Sequence, residues 1–386
     1  MFHANLLKQY IERTEQRDQP SPEVASCSAL IIVCTATVDE GEDAVLNDEQ
    51  SGENIVQDIQ IPLPVLEAKE SVQDVNINGE LTQHQQHEVK RLLGNFSDVL
   101  TDLPGRTTLA EHDIKLTTDD SIRSRPYPLP HAMRSTVEDE VKAMLEMGVV
   151  EPSDSSYASP IVLVKKKDGT NRFCVDFRQL NRVTVFDAEP MPNADDIFAC
   201  LSNDVYFTKI DLSKGYWQIP LKQEIKEKSA FITPSGLYQF NVMPFGLVNA
   251  PATFTRLMRK LLRDMPSTHN FIDDILVHTP TWEEHIAIVK ELMKRLRQAN
   301  LTARPSKCFI GFEKVEFLGH IVGNGKLQPQ PDKLSKVQAA PRPETKKQLR
   351  SFLGLAGYYR KFIPNFAAIA VPLTDKTRSA EPNKIR

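Results

Sequence analysis

The chain has 386 residues, of which 40% are hydrophobic and 25% charged, and its formal net charge is −4 at pH 7. This length allows two or more domains, and the composition is that of a globular protein rather than a fibrous or low-complexity one. The five cysteines form no CxxC pair, which argues against a disulfide framework or a zinc site and favours a reduced, intracellular setting.

The small net charge combines two segments of opposite sign. Residues 1–100 contain 6 Lys and Arg against 18 Asp and Glu, whereas residues 301–386 contain 16 against 6. A basic C-terminal region is suited to a polyanion such as nucleic acid, although a solvated lysine-rich surface has the same composition.

Residues 1–105 are predicted to be an acidic, mostly disordered linker. Eight acidic residues and no basic one lie between Asp39 and Asp58, and such a segment buries too little apolar surface to offset its ordering entropy. Short elements are expected, such as a strand at 29–34 and a helix near 83–94. The apolar run from Ala29 is too short to span a bilayer and has no basic region before it, so neither a signal peptide nor a transmembrane segment is predicted.

Ordered structure is predicted to begin near Glu111 and to mix hairpins with helices, which favours an α+β fold over a doubly wound sheet. Hairpins are indicated by β-rich runs that flank turn residues, and helices by apolar residues at i, i+4 and i+7. In chain order we expect a helix through Val137 and Leu145, a hairpin within 158–177, a strand over 204–212, a hairpin within 229–246, a helix from Asn249, a hairpin around Asp273, a helix from Thr281, strands near 308–328 and a helix near 345–360.

Asp273 and Asp274 lie side by side in the apolar stretch FIDDILVHT, residues 271–279. Burying two unpaired carboxylates is costly, so the pair is either solvated at a hairpin turn or held by a cation. Asp211 ends an apolar strand 62 residues earlier, and neighbouring strands would bring the three carboxylates together. Three close carboxylates repel unless a cation neutralises them, and hard divalent ions such as Mg²⁺ take oxygen ligands. The second alternative therefore predicts a two-ion site for an in-line phosphoryl displacement.

Six motifs follow one another along the chain. They are VDFRQLN (175–181), KIDLSKGYWQIPL (209–221), MPFGLVNAPATFTRLM (243–258), FIDDILVHT (271–279), FLGHIV (317–322) and LRSFLGLAGYYRKFIPNFA (349–367). In this order and spacing they resemble the reverse transcriptases of gypsy-like LTR retrotransposon polyproteins, which are related to retroviral Pol. The resemblance runs from about residue 110 to the C-terminus, and HANLLKQY (3–10) resembles the segment between protease and polymerase in such polyproteins.

The resemblance implies a right-hand polymerase, with fingers and palm over residues 106–328 and the start of a thumb or connection over 329–386. It implies an RNA-directed DNA polymerase, a nucleotidyltransferase that adds deoxynucleotides to a primer 3′-hydroxyl on an RNA or DNA template. Its cofactors would be two Mg²⁺ or Mn²⁺ ions. The ligands implied for them are Asp211, Asp273, Asp274 and the backbone carbonyl of Leu212.

The resemblance also implies a set of residues that bind the deoxynucleoside triphosphate. Tyr216 stands where the family keeps an aromatic ring that excludes a ribose 2′-hydroxyl, and Phe245 stands where gypsy-like relatives carry Phe and retroviral relatives Gln. Arg172 matches a fingers residue that holds the triphosphate. Lys166 matches another, although Lys165 and Lys167 cannot be told apart from it because the hairpin is one residue shorter. The full set is Lys166, Arg172, Lys214, Gly215, Tyr216, Phe245 and Gly246.

FLGHIV resembles a primer-grip hairpin, with Leu318, Gly319 and His320 at the primer end. His320 is equally consistent with an ordinary surface histidine. The segment 358–361, which is aromatic and basic, is expected either to touch the nucleic-acid backbone or to lie in the core. Phe271 departs from the family, which more often has Tyr there, and we expect only a mild effect on the site.

Two other functions stay open. A non-catalytic, nucleic-acid-binding remnant of a truncated polyprotein is one, because the sequence has no D-[ST]-G protease motif and ends at Arg386, before an RNase H domain would begin. An RNA-templated RNA polymerase is the other, but a bulky Tyr216 counts against it. Family analogy predicts a cytoplasmic or nuclear location without membrane partners, and no oligomeric state is predicted.

Overall fold

The computed structural model describes residues 67–165, 171–201 and 204–378. Its α-helices are α1 Gln83–Gly94, α2 Arg134–Glu146, α3 Arg178–Arg182, α4 Ala194–Ala199, α5 Ala250–Leu261, α6 Trp282–Gln298, α7 Pro331–Gln338, α8 Lys346–Tyr358 and α9 Phe366–Asp375. Its strands are β1 Asn76–Ile77, β2 Val150–Pro152, β3 Ser159–Lys165, β4 Asn171–Val175, β5 Tyr206–Asp211, β6 Phe231–Thr233, β7 Gly236–Phe240, β8 Thr268–Phe271, β9 Asp274–Thr279, β10 Phe309–Phe312, β11 Lys314–Phe317, β12 His320–Gly323 and β13 Lys326–Pro329. The helices and hairpins predicted within these ranges are present.

A central five-stranded sheet has the order β1-β10-β5-β9-β8. β1 runs parallel to β10, and the remaining neighbours are antiparallel. The middle strands β5 and β9 bury apolar side chains such as Phe207, Ile210, Ile275 and Val277, and α6 packs against both strands. Their apolar, β-branched runs therefore reflect a sheet whose centre is shielded from water.

A second five-stranded sheet has the order β2-β7-β6-β3-β4. It contains both hairpins predicted before and after β5, because β3 pairs with β4 and β6 pairs with β7, each antiparallel. The Asp168-Gly169 turn that indicated the first hairpin lies outside the described residues.

The C-terminal part of the described chain consists of a three-stranded sheet, β11-β12-β13, followed by α7, α8 and α9. Both strand pairs are antiparallel, and α8 packs against α9. No helix in the described ranges is long and apolar enough to cross a membrane.

Residues 67–105 correct the sequence-based boundary, because ordered structure begins well before Glu111. α1 is the helix predicted near 83–94, and it buries Val89, Leu92 and Leu93 in the main core. The acidic residues that suggested a linker lie mostly upstream of Glu67. The composition averaged over residues 1–105 therefore concealed the apolar residues that follow Glu67. The described residues belong to one unit, 64–386. The strand predicted at 29–34 lies outside the described residues.

Candidate active site

The Asp273-Asp274 pair is split between a turn and a strand. β8 and β9 form a hairpin in which Phe271 pairs with Asp274, so Ile272 and Asp273 make the two-residue turn. Ile272 has φ 54°, a region that β-branched residues rarely enter, at a cost on the order of 1–3 kcal/mol. In the neighbouring pairing of β5 with β9, Asp211 lies directly opposite Asp274. The sheet register therefore brings the three predicted carboxylates to one end of the central sheet.

Two lysines accompany two of these carboxylates. The Lys209 ammonium lies 3.0 Å from Oδ1 of Asp274, and the Lys307 ammonium lies 3.4 Å from both carboxylate oxygens of Asp211. Lys209 precedes Asp211 by two residues on β5 and therefore points to the same face of the sheet. Lys307 follows α6 and reaches Asp211 from the short 3₁₀ turn Pro305–Lys307.

The electrostatic environment favours a proton on Asp273. Burial raises the pKa of its carboxyl to about 6, and the charges of Asp274 and Asp211 add to this effect. Burial also raises the pKa of Asp211; the Lys307 ammonium partly offsets this, and the charge of Asp274 adds to it. The metal-free protein thus accommodates three neighbouring carboxylates with two ammonium groups and an elevated pKa.

The carboxylate oxygens of Asp211, Asp273 and Asp274 are chemically suited to bind divalent cations. In the described part of the chain, no three Asp, Glu, His or Cys side chains converge as an already formed metal site. The charges of Asp274 and Asp211 nevertheless add to the effect of burial on the pKa of Asp273, and a hard cation relieves such repulsion through oxygen ligands. Leu212 adjoins this set, because its N–H donates to the carbonyl of Asp273 at 3.3 Å.

Gly215 and Tyr216 pack beside Asp273. A Cβ at Gly215 would lie 3.1 Å from Cβ of Asp273 and 3.2 Å from the Phe254 ring, so only glycine fits there without displacement. The Tyr216 ring stacks on Phe245 with centroids 5.0 Å apart and meets Phe254 at 5.5 Å. Burial and the charge of Asp273 raise the pKa of Tyr216, which keeps its hydroxyl neutral.

Phe245 presents a large apolar surface, since 52% of it is exposed. Gly246 follows with φ 98°, a conformation that favours glycine, and its carbonyl accepts a hydrogen bond from Asn181 at 2.8 Å. Lys214 is left-handed at φ 50°, and its ammonium lies 4.7 Å above the Trp217 ring. Four of the predicted nucleotide-binding residues therefore lie around Tyr216, namely Lys214, Gly215, Phe245 and Gly246.

Arg172, another predicted triphosphate ligand, lies on the β3–β4 hairpin. Arg172 is exposed on β4, opposite Val164, and Lys165 is exposed at the end of β3. Lys166 and Lys167 lie outside the described residues.

The FLGHIV turn joins β11 to β12 through Leu318 at φ 47° and Gly319 at φ 71°. His320 is not a surface residue, because it is 2% exposed and its ring contacts the four rings of Phe198, Tyr358, Tyr359 and Phe362. Burial lowers the pKa of its imidazole.

The two tyrosines of segment 358–361 hold this turn from α8. Tyr358 donates to the carbonyl of Leu318 at 2.6 Å, and Tyr359 donates to the carbonyl of Gly319 at 3.2 Å. Tyr359 is buried and Tyr358 is half-exposed. The alternative that these aromatic residues lie in the core is therefore correct for Tyr359.

Comparison with known proteins identifies the family. A family model described as reverse transcriptase (RNA-dependent DNA polymerase) matches residues 164–322, which contain all three carboxylates. The retrovirus-related Pol polyprotein of the Drosophila melanogaster transposon 297 is 39% identical over 304 residues, which cover 76% of this chain and 29% of the relative. That of transposon gypsy is 35% identical over 313 residues, covering 79% and 30%. The chain contains a reverse transcriptase domain.

The fold of this reverse transcriptase domain is also that of a solved polymerase. It superimposes on the foamy viral protease-reverse transcriptase in complex with double-stranded DNA with a TM-score of 0.76 and 25% identity, covering 83% of this chain and 58% of the other. The predicted α+β, right-hand polymerase fold is therefore confirmed. The chain spans about 30% of the length of the curated relatives it matches.

Sequence reasoning missed both lysines that accompany the carboxylates. Lys209 carried a readable signal, because its two-residue spacing from Asp211 places both on one face of β5. Lys307 carried none, because it lies 96 residues from Asp211 and reaches it only through tertiary packing.

Proposed function

We propose that the chain is the polymerase domain of a retrotransposon Pol polyprotein and acts as an RNA-directed DNA polymerase. It would add deoxynucleotides to a primer 3′-hydroxyl. The observation that carries this proposal is the strand register that sets Asp211 opposite Asp274, with Asp273 in the adjoining turn, inside the match to the reverse transcriptase family.

Asp211, Asp273, Asp274 and the carbonyl of Leu212 would hold two Mg²⁺ or Mn²⁺ ions. When bound, such ions would activate the attacking oxygen and neutralise the charge of the leaving pyrophosphate. The surroundings of Asp273 support this assignment, because the charged form of a buried carboxyl with two others beside it is stabilised by a neighbouring cation. The protein would contribute positioning and charge rather than covalent chemistry.

The incoming deoxynucleoside triphosphate would bind between the Tyr216 cluster and the β3–β4 hairpin. Tyr216, held between Phe245 and Phe254, would exclude a ribose 2′-hydroxyl. Lys214, Gly215 and Gly246 complete the cluster. Arg172 would hold the triphosphate through its planar fork, and Lys166 would add a second positive charge.

The primed template, RNA or DNA, would lie along the turn between β11 and β12. The foamy viral neighbour was solved with double-stranded DNA, which supports a duplex ligand for this chain. Leu318 and Gly319 would approach the primer through their backbone. His320 would support the turn, because its buried ring is not accessible to nucleic acid.

A primer-extension assay tests the proposal. The purified full chain is supplied with an RNA template, a DNA primer, Mg²⁺ and deoxynucleoside triphosphates. We expect extension by the wild type and its loss in Asp211→Ala and Asp273→Ala, while binding of the primed template persists. Binding without extension by the wild type would reject the polymerase and support the non-catalytic remnant instead.

A further inference from the structure

The end of β5, which carries Asp211, is held by the turn that follows α6. The N–H of Arg304 donates to the carbonyl of Asp211 at 2.8 Å. Three residues later, Lys307 lies 3.4 Å from both carboxylate oxygens of the same aspartate. This turn therefore contacts both the backbone and the side chain of Asp211.

Glu70 in turn holds this turn with both of its carboxylate oxygens. Oε1 accepts from Nε and Nη2 of Arg304 at 2.9 and 2.7 Å, and Oε2 accepts from the N–H of Ser306 at 3.0 Å. The Glu70 side chain is 16% exposed, so its charge is mostly shielded from water. Burial by itself would raise its pKa, but the hydrogen bonds from Arg304 and Ser306 outweigh burial and lower the pKa to about 2.

The segment that contains Glu70 is itself anchored on both sides. The N–H groups of Lys69 and Glu70 donate to Oδ1 of Asp102 at 2.9 and 3.2 Å. Further along, the Asn76 side chain donates to the carbonyl of Ser306 at 2.9 Å, and its N–H donates to the carbonyl of Cys308 at 3.0 Å. The carboxylate of Glu70 is therefore presented to the turn from a backbone that is tied down before and after it.

We propose that Glu70 is a positioning residue of the polymerase site, which acts through Arg304 and Ser306 to fix the turn that orients Asp211 and Lys307. This inference rests on the proposed polymerase function. It extends the functional unit beyond residues 164–322, the range matched by the family model, to a residue in the segment that the sequence presented as a linker. Catalysis depends on such support, because a displacement of about 1 Å at a reacting group costs up to roughly 100-fold in rate.

The chain offers a matched control. Asp98 also comes from the N-terminal part of the described chain and also forms an ion pair with an arginine, accepting from Nε of Arg297 at 2.7 Å. Arg297 lies near the end of α6 rather than in the turn that holds Asp211. Glu70→Asp and Asp98→Glu each keep the charge and change the side chain by one methylene. The comparison therefore separates a one-methylene change at an arginine ion pair from loss of the contact with the turn.

Two measurements on the full 386-residue chain test the proposal. In amide hydrogen exchange, we expect Glu70→Asp to raise the exchange rate of the peptide 301–309 by about tenfold, with no such change for Asp98→Glu. In steady-state primer extension, we expect Glu70→Asp to lower kcat by about tenfold and to leave KM for the nucleotide within about twofold. If Glu70 only stabilised the fold, Glu70→Asp and Asp98→Glu should lose activity to a similar extent when their thermal stabilities are equal.

The outcomes are distinguishable. Unchanged exchange at 301–309, or faster exchange there with an unchanged kcat, would overturn the role of Glu70. A wild type that binds primed template without extending it would refute the polymerase proposal. In that case the exchange comparison still decides whether Glu70 holds the turn.

Discussion

Asp211 and Asp274 each face a lysine ammonium, whereas burial and two neighbouring carboxylates raise the pKa of Asp273 to about 6. Because this value lies above that of an unfolded chain, folding favours the protonated form of Asp273. Its contribution to stability is therefore greatest below about pH 4 and is lost as the pH rises through about 6. At neutral pH and without metal, the charged carboxylate of Asp273 is repelled by Asp211 and Asp274. This is the position at which we propose that metal ions bind.

Replacing Asp273 by Asn should stabilise the metal-free protein while abolishing primer extension. Above pH 7 the substitution removes an unfavourable charge, so we expect the free energy of unfolding to rise by up to about 3 kcal/mol. The gain should vanish near pH 4. Urea unfolding in EDTA at both pH values measures it, with Asp139→Asn on α2 as the control for loss of an exposed carboxylate. A less stable Asp273→Asn protein at pH 7.5 would contradict the assigned electrostatics.

Tyr216 provides a second test at the scale of one side chain. Its ring stacks on Phe245, and removing the ring in Tyr216→Ala should open space for a ribose 2′-hydroxyl. We expect the ratio of kcat/KM for ribonucleotides over deoxynucleotides to rise by about tenfold or more. Tyr216→Phe keeps the ring and should retain the selection. Equal sugar selection by the wild type and the Ala variant would rule out the steric role.

At the scale of elements, the site depends on the short 3₁₀ helix Gly215–Gln218 packing against the turn of the β8–β9 hairpin. Gly215 allows this approach, since any Cβ there would meet Asp273 and Phe254 at 3.1 and 3.2 Å. Such distances are tighter than most carbon–carbon contacts, so Asp273 or Phe254 would have to shift by a few tenths of an ångström. The hairpin turn already contains Ile272 in a strained conformation, which leaves it little freedom to adjust.

Gly215→Ala should therefore impair catalysis more than folding. We expect kcat for primer extension to fall by about tenfold to 100-fold, because Asp273 or Tyr216 is displaced. Gly94→Ala at the end of α1 is the control, because a Cβ there meets nothing within 4 Å. Far-ultraviolet circular dichroism checks that both variants fold. Full activity in folded Gly215→Ala would show that the two elements can separate without harm to the site.

At the scale of the whole molecule, residues 67–105 contribute to the main hydrophobic core. Trp282 at the start of α6 donates to Glu88 of α1 at 2.9 Å. The Arg297 guanidinium near the end of α6 lies 4.3 Å from the Phe96 ring. β1 extends the central sheet alongside β10. These contacts connect the N-terminal part of the described chain to α6 and to the central sheet, which carries the carboxylates.

Leu93→Ala tests this connection, since Leu93 is completely buried. Removing a buried leucine side chain should lower the free energy of unfolding by about 2–5 kcal/mol. If α1 and the central sheet unfold together, urea unfolding should show one transition, shifted as a whole. Lys90→Ala, at an exposed position of the same helix, should leave the midpoint unchanged. An early separate transition in Leu93→Ala would indicate that α1 unfolds independently of the sheet.

The amino-acid sequence by itself predicted the family, the α+β fold, the order of the hairpins and helices, and the three carboxylates. These features could be predicted because their signals are local in the sequence. The signals are strand and helix periodicity, turn residues, and short motifs that contain the functional residues. It also predicted α1, although the acidic composition of the preceding residues led to a boundary that is too late.

Only the tertiary structure decided which charges surround the carboxylates and what supports them. Asp211 has Arg304 and Lys307 as partners, and Glu70, which holds Arg304, is 234 positions away from that arginine. It also decided that His320 is buried, because its aromatic neighbours come from α4, α8 and the turn after α8. Such contacts depend on how elements pack, and a sequence without an alignment carries no local signal for them.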